Sequence, residues 1–151
     1  MIRSQLNEAL KTAMKERDGV ATSTLRLILA ALKDRDIAAR GRGNTEGIDD
    51  TEILSLLQTM IKQRRESIVL YEQGGRLDLA EQETEEIAVI EKFLPRQMSE
   101  DETRQAVDAV IAEIGAAGIK DMGRTMTELR SRYAGRMDFG KASGLVKATL
   151  G

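Results

Sequence analysis

Apolar residues recur with the period of an α-helix along this whole chain, and no stretch alternates as a half-buried strand would. The pattern is clearest between residues 53 and 71, where one face carries Ile53, Leu56, Leu57, Met60, Ile61, Ile68 and Tyr71. A chain in which every apolar segment has helical spacing must bury helices against helices. The sequence therefore predicts an all-α fold.

Four apolar segments precede Pro95, the only proline, and three shorter segments follow it. Gly74 and Gly75 separate the third segment from the fourth, which predicts a long antiparallel helical hairpin. We expect an N-terminal four-helix domain over residues 1–95 and a compact three-helix C-terminal domain over residues 98–151. Within them, the second helix is predicted to begin at a capping Thr22.

The residue types that the chain lacks exclude several kinds of chemistry. It has no cysteine and no histidine, so disulfides, thiolate metal sites and the commonest general base are all missing. We expect no catalytic residue, no metal site and no small-molecule cofactor. The longest apolar run, Leu27 to Leu32, is too short to span a membrane, and residues 1–11 lack the apolar core of a signal peptide. We expect a cytoplasmic monomer that has no membrane partner.

Two charged residues lie within the apolar stripes of the predicted hairpin. Arg64 falls in the stripe of the third segment, and Glu83 falls in the stripe of the fourth. In a hairpin closed by Gly74-Gly75, Arg64 and Glu83 face each other with an offset of about two residues, or ~3 Å at the helical rise. Because a buried charge is costly without its partner, we predict a structural ion pair that fixes the hairpin register.

The charged neighbours of this pair receive different interpretations. Arg65 points about 100° away from Arg64 around the helix and is a possible contact for a partner. Glu83 and Glu86 lack the surrounding groups that catalytic carboxylates need. The acidic residues of this region are expected to form a solvated face; they are Glu81, Glu83, Glu85, Glu86 and Glu91.

The basic residues are concentrated near the C-terminus. Residues 120–147 carry seven basic and three acidic side chains, whereas residues 98–119 carry one basic and five acidic. Two interpretations remain open: an ordinary solvated surface, or a face that binds phosphate groups through lysine and arginine.

Six stretches of the chain resemble the GatB/YqeY family in its stand-alone, YqeY-like form. They are "LRLILAALK" (25–33), "KQRRES" (62–67), "GGRLDLAEQETEE" (74–86), "FLPRQMSEDE" (93–102), "MGRTM" (122–126) and "GRMDFGKASGLVK" (135–147). The resemblance implies a helical N-terminal domain and a three-helix unit similar to the tail of the amidotransferase B subunit. That enzyme amidates misacylated tRNA with glutamine as the amide donor, and its tail helps to hold the tRNA.

The resemblance carries a candidate RNA contact onto four basic residues, Arg124, Arg136, Lys141 and Lys147. It implies a non-catalytic module that binds tRNA or a tRNA-processing enzyme. Carbon–nitrogen ligase activity attaches to the family by association only, and we expect none from this chain alone. The alternative is a protein–protein interaction module with no RNA ligand.

One position departs from the family pattern. Phe139 follows Asp138, where the family usually has a small turn that ends in Asp-Gly. The loop that enters the last helix is therefore expected to differ in shape.

Overall fold

The computed structural model describes residues 1–151 and contains seven α-helices, a short 3-10 turn and no strand. The predicted all-α fold is confirmed. None of the helices has the length and apolar character needed to cross a membrane. The helices are α1 (Ile2–Lys15), α2 (Gly19–Gly41), α3 (Asp50–Gln73), α4 (Leu77–Glu91), α5 (Glu100–Ile114), α6 (Met122–Tyr133) and α7 (Phe139–Leu150), and the 3-10 turn, Ile119–Asp121, precedes α6.

The chain divides into two compact units, Met1–Pro95 and Arg96–Gly151. Each unit has its own apolar core. In the first unit, helices α1 to α4 bury one face each, and Leu6, Ile28 and Leu57 are wholly inaccessible to solvent. Burial of this apolar surface is the main source of stability in each unit.

Helix α2 begins earlier than the sequence predicted. Its N-cap is Asp18, whose carboxylate accepts a hydrogen bond from the Ala21 backbone N–H at 3.1 Å. Thr22 lies inside the first turn, so the prediction of a cap there is wrong. Asp18 is as good a cap as threonine, and its extended backbone lets the helix start at the following residue.

A charged clasp joins α1, α2 and the loop before α3. The Arg3 guanidinium donates two hydrogen bonds of 2.7 Å to the Asp36 carboxylate and one of 2.9 Å to the Ile48 carbonyl. The Ile48 N–H in turn donates to Asp36 at 2.9 Å. The hydrogen bond from Arg3 is the main reason that the pKa of Asp36 is lowered.

The second unit packs α5, α6 and α7 around a smaller core that includes Val107, Leu129 and Val146. Helix α5 starts with a capping box: the Ser99 hydroxyl accepts from the Glu102 N–H, and the Glu102 carboxylate accepts from the Ser99 N–H, both at 3.1 Å. Arg96 also donates to Glu102 at 2.7 Å. Together these hydrogen bonds, led by that from Arg96, lower the pKa of Glu102 to about 2.

Candidate functional site

Arg64 lies between two carboxylates at the interface of α3 and α4. Its Nε donates to Glu86 Oε2 at 3.0 Å and lies 3.9 Å from Glu83 Oε2. Its Nη1 donates to the Met60 carbonyl at 3.2 Å. The side chains of Arg64, Glu83 and Glu86 are 13%, 21% and 10% exposed, so the cluster is largely buried. Arg64 therefore has two carboxylate neighbours, and the nearer one is Glu86.

Glu86 departs from the solvated face on which the sequence analysis placed it. A signal for this position was present in the sequence. Measured from the Gly74-Gly75 turn, Glu86 is offset from Arg64 by only about one residue, against about two for Glu83. At ~1.5 Å per residue, the hairpin register alone favours Glu86 as the partner.

The cluster contains one arginine and two carboxylates, and this imbalance of charge affects the pKa of Glu83. Burial is the main cause that raises the pKa of Glu83, the negative charge of Glu86 adds to it, and Arg64 opposes it. Glu83 therefore holds a proton more readily than an exposed glutamate does. No group of three or more histidine, cysteine or acidic side chains in the structure is arranged to hold a metal ion. The contacts of the cluster are those of a clasp between two helices.

Arg65 lies on a different side of α3. Its Nη2 is 3.5 Å from Glu91 Oε1, and both side chains are exposed. An exposed pair of this kind contributes only ~0–1 kcal/mol to stability. Arg65 could therefore leave Glu91 and bind another protein at little cost.

The four candidate RNA-binding residues all belong to the second unit, and they have different surroundings. Arg124 donates to the Ile114 carbonyl at 2.8 Å and lies 3.3 Å from Asp121. Arg136 donates to the carbonyl of Arg96 at 3.3 Å. The remaining two lie on α7, where the Lys141 ammonium contacts Glu100 at 3.2 Å and Lys147 forms no ion pair.

The structure does not bring these four residues into one cluster. Arg124 contacts the last residue of α5, whereas Lys141 contacts the first, and these residues are ~21 Å apart along the helix axis. Lys147 lies about 120° around α7 from Lys141. An RNA that touched all four would have to lie across a broad surface.

Two further features of this surface were not identified from the sequence. The guanidinium of Arg130 lies over the Phe139 ring, 5.9 Å from its centroid. Asp138 caps α7 by accepting from the Lys141 N–H at 3.1 Å, so Phe139 is the first residue of the helix. The arginine and the ring form a cation–π contact at the start of α7.

Comparison with known proteins identifies relatives along most of the chain. A family model described as "Yqey-like protein" matches residues 3–150. The protein named "Altered inheritance of mitochondria protein 41, mitochondrial" from Kluyveromyces lactis is 26% identical over 148 residues, which is 95% of this chain and 73% of that protein. Its counterpart from Lachancea thermotolerans is 32% identical over 91 residues, which is 60% of this chain and 46% of that protein. The chain thus matches less than half the length of the Lachancea protein.

The expectation of a cytoplasmic protein is wrong, because these relatives are named as mitochondrial proteins. The expectation rested on the lack of a membrane-spanning apolar run and of an apolar leader. Those features bear on membrane insertion and secretion, but they do not distinguish one internal compartment from another.

The family model spans nearly the whole chain, and the helices that it covers belong to both units. The motifs that suggested the resemblance, from "LRLILAALK" to "GRMDFGKASGLVK", lie inside the matched residues. The chain therefore belongs to the YqeY-like family.

Proposed function

We propose that this chain is a non-catalytic accessory module that binds tRNA through the basic surface of its second unit. One observation carries the proposal. Residues 120–147 have seven basic and three acidic side chains, a net charge of +4. Four of the seven cations form no ion pair; they are Lys120, Arg130, Arg136 and Lys147. Cations without an acidic partner are available to replace the counterions of a phosphate backbone.

The pair between Lys141 and Glu100 does not remove Lys141 from this surface. Both side chains are exposed, and such a pair contributes only ~0–1 kcal/mol. A phosphate group could displace Glu100 at little cost. Arg124 differs, because its bond to the Ile114 carbonyl ties α6 to the end of α5. We therefore assign Arg124 a supporting role beside its proposed RNA contact.

The aromatic residues of the second unit indicate how the RNA would be recognised. Tyr133 and Phe139 are partly buried and pack against the core. They are not free to stack on bases, so contacts with phosphates and with the shape of the RNA would dominate. The resemblance to the amidotransferase tail supports tRNA as the RNA concerned, and an association with a tRNA-dependent amidotransferase would follow from it.

The test is the salt dependence of tRNA binding by the full chain. Three or four phosphate contacts predict roughly micromolar affinity at low salt and a log–log salt slope of about −2 to −4. A variant with Arg124, Arg136, Lys141 and Lys147 replaced by alanine should lose binding and keep its helical circular dichroism.

A matched variant removes the same charge from the first unit. It replaces four exposed lysines, Lys11, Lys15, Lys62 and Lys92, by alanine. This variant should bind tRNA as the parent chain does. If both variants lose binding equally, the second unit is not the binding surface. If the parent chain shows no binding at low salt, the tRNA proposal is wrong and the protein-interaction alternative is the better account.

A further inference from the structure

Helix α2 presents a row of cations on its exposed side. Arg26, Lys33 and Arg40 follow one another at seven-residue intervals and are all exposed. Seven residues make nearly two full helical turns, so the three side chains project in nearly the same direction over ~21 Å. Leu25, Ile28 and Leu32 are buried in the core on a side of α2 centred about 110° from the row, so the row faces solvent.

The cations of this row are not held by carboxylates at ion-pair distance. None of the three forms an ion pair. The pKa of Asp36 is lowered chiefly by hydrogen bonds from Arg3 and to a smaller extent by the charge of Arg40. In the same unit, Arg3, Arg64 and Arg65 contact carboxylates, whereas Arg17, Arg35 and Arg42 resemble the row in forming no ion pair. The row therefore presents three exposed cations that form no ion pair, with Asp34 and Asp36 as the nearest carboxylates in the sequence.

A stripe of apolar side chains runs along the same helix, centred about 90° around the axis from the row. Leu27 and Ile37 are 49% and 53% exposed, and Val20 and Ala30 lie on the same side of the helix. Ile37 is four residues after Lys33 and three before Arg40, so it is adjacent to both on the helix surface. We call Val20, Arg26, Leu27, Ala30, Lys33, Ile37 and Arg40 the α2 face. The exposed Asp34 lies on the same side, four residues after Ala30 and three before Ile37.

We propose that the α2 face binds an acidic amphipathic helix of a partner protein. The exposed cations require acidic groups at matching seven-residue spacing, and the exposed apolar side chains require an apolar stripe beside them. A partner helix of about four turns would cover the row from Arg26 to Arg40. This is the helix-on-helix mode of recognition, with the apolar stripe as the anchor and the ion pairs setting the register.

Two other anionic partners fit the face less well. A nucleic-acid backbone would pair with the cations but would leave Leu27 and Ile37 with nothing apolar to contact. A membrane surface would suit both, but helices that lie in that interface usually insert tryptophan or phenylalanine, and α2 contains no aromatic residue. The charge and the apolar side chains together favour a protein helix.

The experiment uses the full chain and a synthetic probe. The probe is a helical peptide of about 20 residues with glutamates at seven-residue spacing beside a stripe of leucines. Its binding is measured by fluorescence anisotropy. Replacing Arg26, Lys33 and Arg40 by glutamine should weaken binding about tenfold, because three ion pairs are lost. Replacing Leu27 and Ile37 by serine should weaken binding by a similar factor without changing its salt dependence.

A charge-matched variant locates the interaction. Lys15, Lys62 and Lys92 are exposed, lie outside α2 and form no ion pair, and replacing them by glutamine should leave binding unchanged. If this variant loses as much affinity as the α2 variant, the peptide senses only overall charge and the proposal is wrong.

A duplex RNA and vesicles of phosphatidylserine and phosphatidylcholine are titrated in the same way. If either one binds the parent chain through Arg26, Lys33 and Arg40 while the peptide does not bind, the α2 face serves that ligand and the proposal is overturned. Peptide binding that needs both the cations and Leu27 with Ile37 supports it. This result is independent of tRNA binding, which the second unit would retain in every α2 variant.

Discussion

The two units use charged residues in different ways. In the first unit, Arg64 and its two carboxylates lie between packed helices and are largely buried. In the second unit, the ion pairs lie at the surface and near the ends of helices, as with Arg96 and Glu102 at the start of α5. The first unit thus has a buried charge cluster between two helices, whereas the ion pairs of the second unit lie at its surface.

The two units also differ in the size of their apolar cores. Fifteen buried apolar residues form the core of the first unit, and eight form that of the second. A small unit buries a smaller fraction of its surface and has less stability to spare. We expect the second unit to depend on caps and single core residues more than the first does.

The largest effect should come from breaking the buried charge cluster. Replacing Arg64 by alanine leaves Glu83 and Glu86 close together and largely buried with no cation beside them. Loss of one partner from a buried ion pair costs about 3–5 kcal/mol in the free energy of unfolding, and urea denaturation would measure it.

The adjacent arginine provides the control for this experiment. Replacing Arg65 by alanine breaks only its exposed contact with Glu91, so the free energy of unfolding should change by less than about 1 kcal/mol. Equal losses in the two variants would mean that burial does not distinguish these arginines.

A core substitution in the second unit tests whether the two units are separate domains. Leu129 is wholly buried, and replacing it by alanine should cost about 2–5 kcal/mol. We expect amides of α5, α6 and α7 to lose protection against hydrogen exchange while those of α1 to α4 keep it. Equal loss of protection in all seven helices would show that the chain unfolds as one cooperative domain.

The fold was predictable from the sequence because the information that determines it is local. Helical periodicity, the Gly74-Gly75 turn and Pro95 mark where helices lie and where they end. The capping box at Ser99 was also readable, because it depends on two residues three positions apart. The cap of α2 was misassigned, since Asp18 and Thr22 are both good caps and only the backbone conformation distinguishes them.

The details of the site were less predictable because they depend on contacts between distant residues. The register of the hairpin favours Glu86 over Glu83 as the partner of Arg64 by only about one residue, and in the structure Arg64 lies near both carboxylates. The pairing of Lys141 with Glu100 joins residues on different helices. No periodicity in either helix indicates that pairing. That the cations of the α2 row form no ion pair likewise becomes visible only in the folded structure.

Breaking the capping box of α5 should give the next largest effect. It also tests, at low pH, the contrast between the surface charges of the second unit and the buried charges of the first. Replacing Ser99 by alanine removes one hydrogen bond to the first turn of α5 and should cost about 1 kcal/mol. The pKa of Glu102 is lowered in the folded state, so its contribution is present above the unfolded pKa of ~4.5 and is lost as the pH falls towards 2. Thermal unfolding between these pH values should show the second unit of the parent chain weakening progressively. A Glu102→Gln variant should be less stable at neutral pH and should weaken less on acidification.

Glu83 should give the smallest effect, in a different pH range and with the opposite sign. The pKa of Glu83 is raised in the folded state, chiefly by burial, so the folded chain binds the proton more tightly than the unfolded chain. The resulting stabilisation is fully present below the unfolded pKa of ~4.5 and is lost as the pH rises through the folded pKa. A Glu83→Gln variant stays neutral at every pH and should lack this loss. Its stability relative to the parent chain should therefore increase as the pH rises from about 4.5, and urea midpoints across that range would measure it.

Glu81→Gln, at an exposed position two residues away, is the control and should follow the parent chain. If Glu83→Gln also followed the parent chain, the two carboxylates beside Arg64 would be equally well accommodated as anions, and the contrast between buried and surface charge in the two units would be weaker than the geometry indicates.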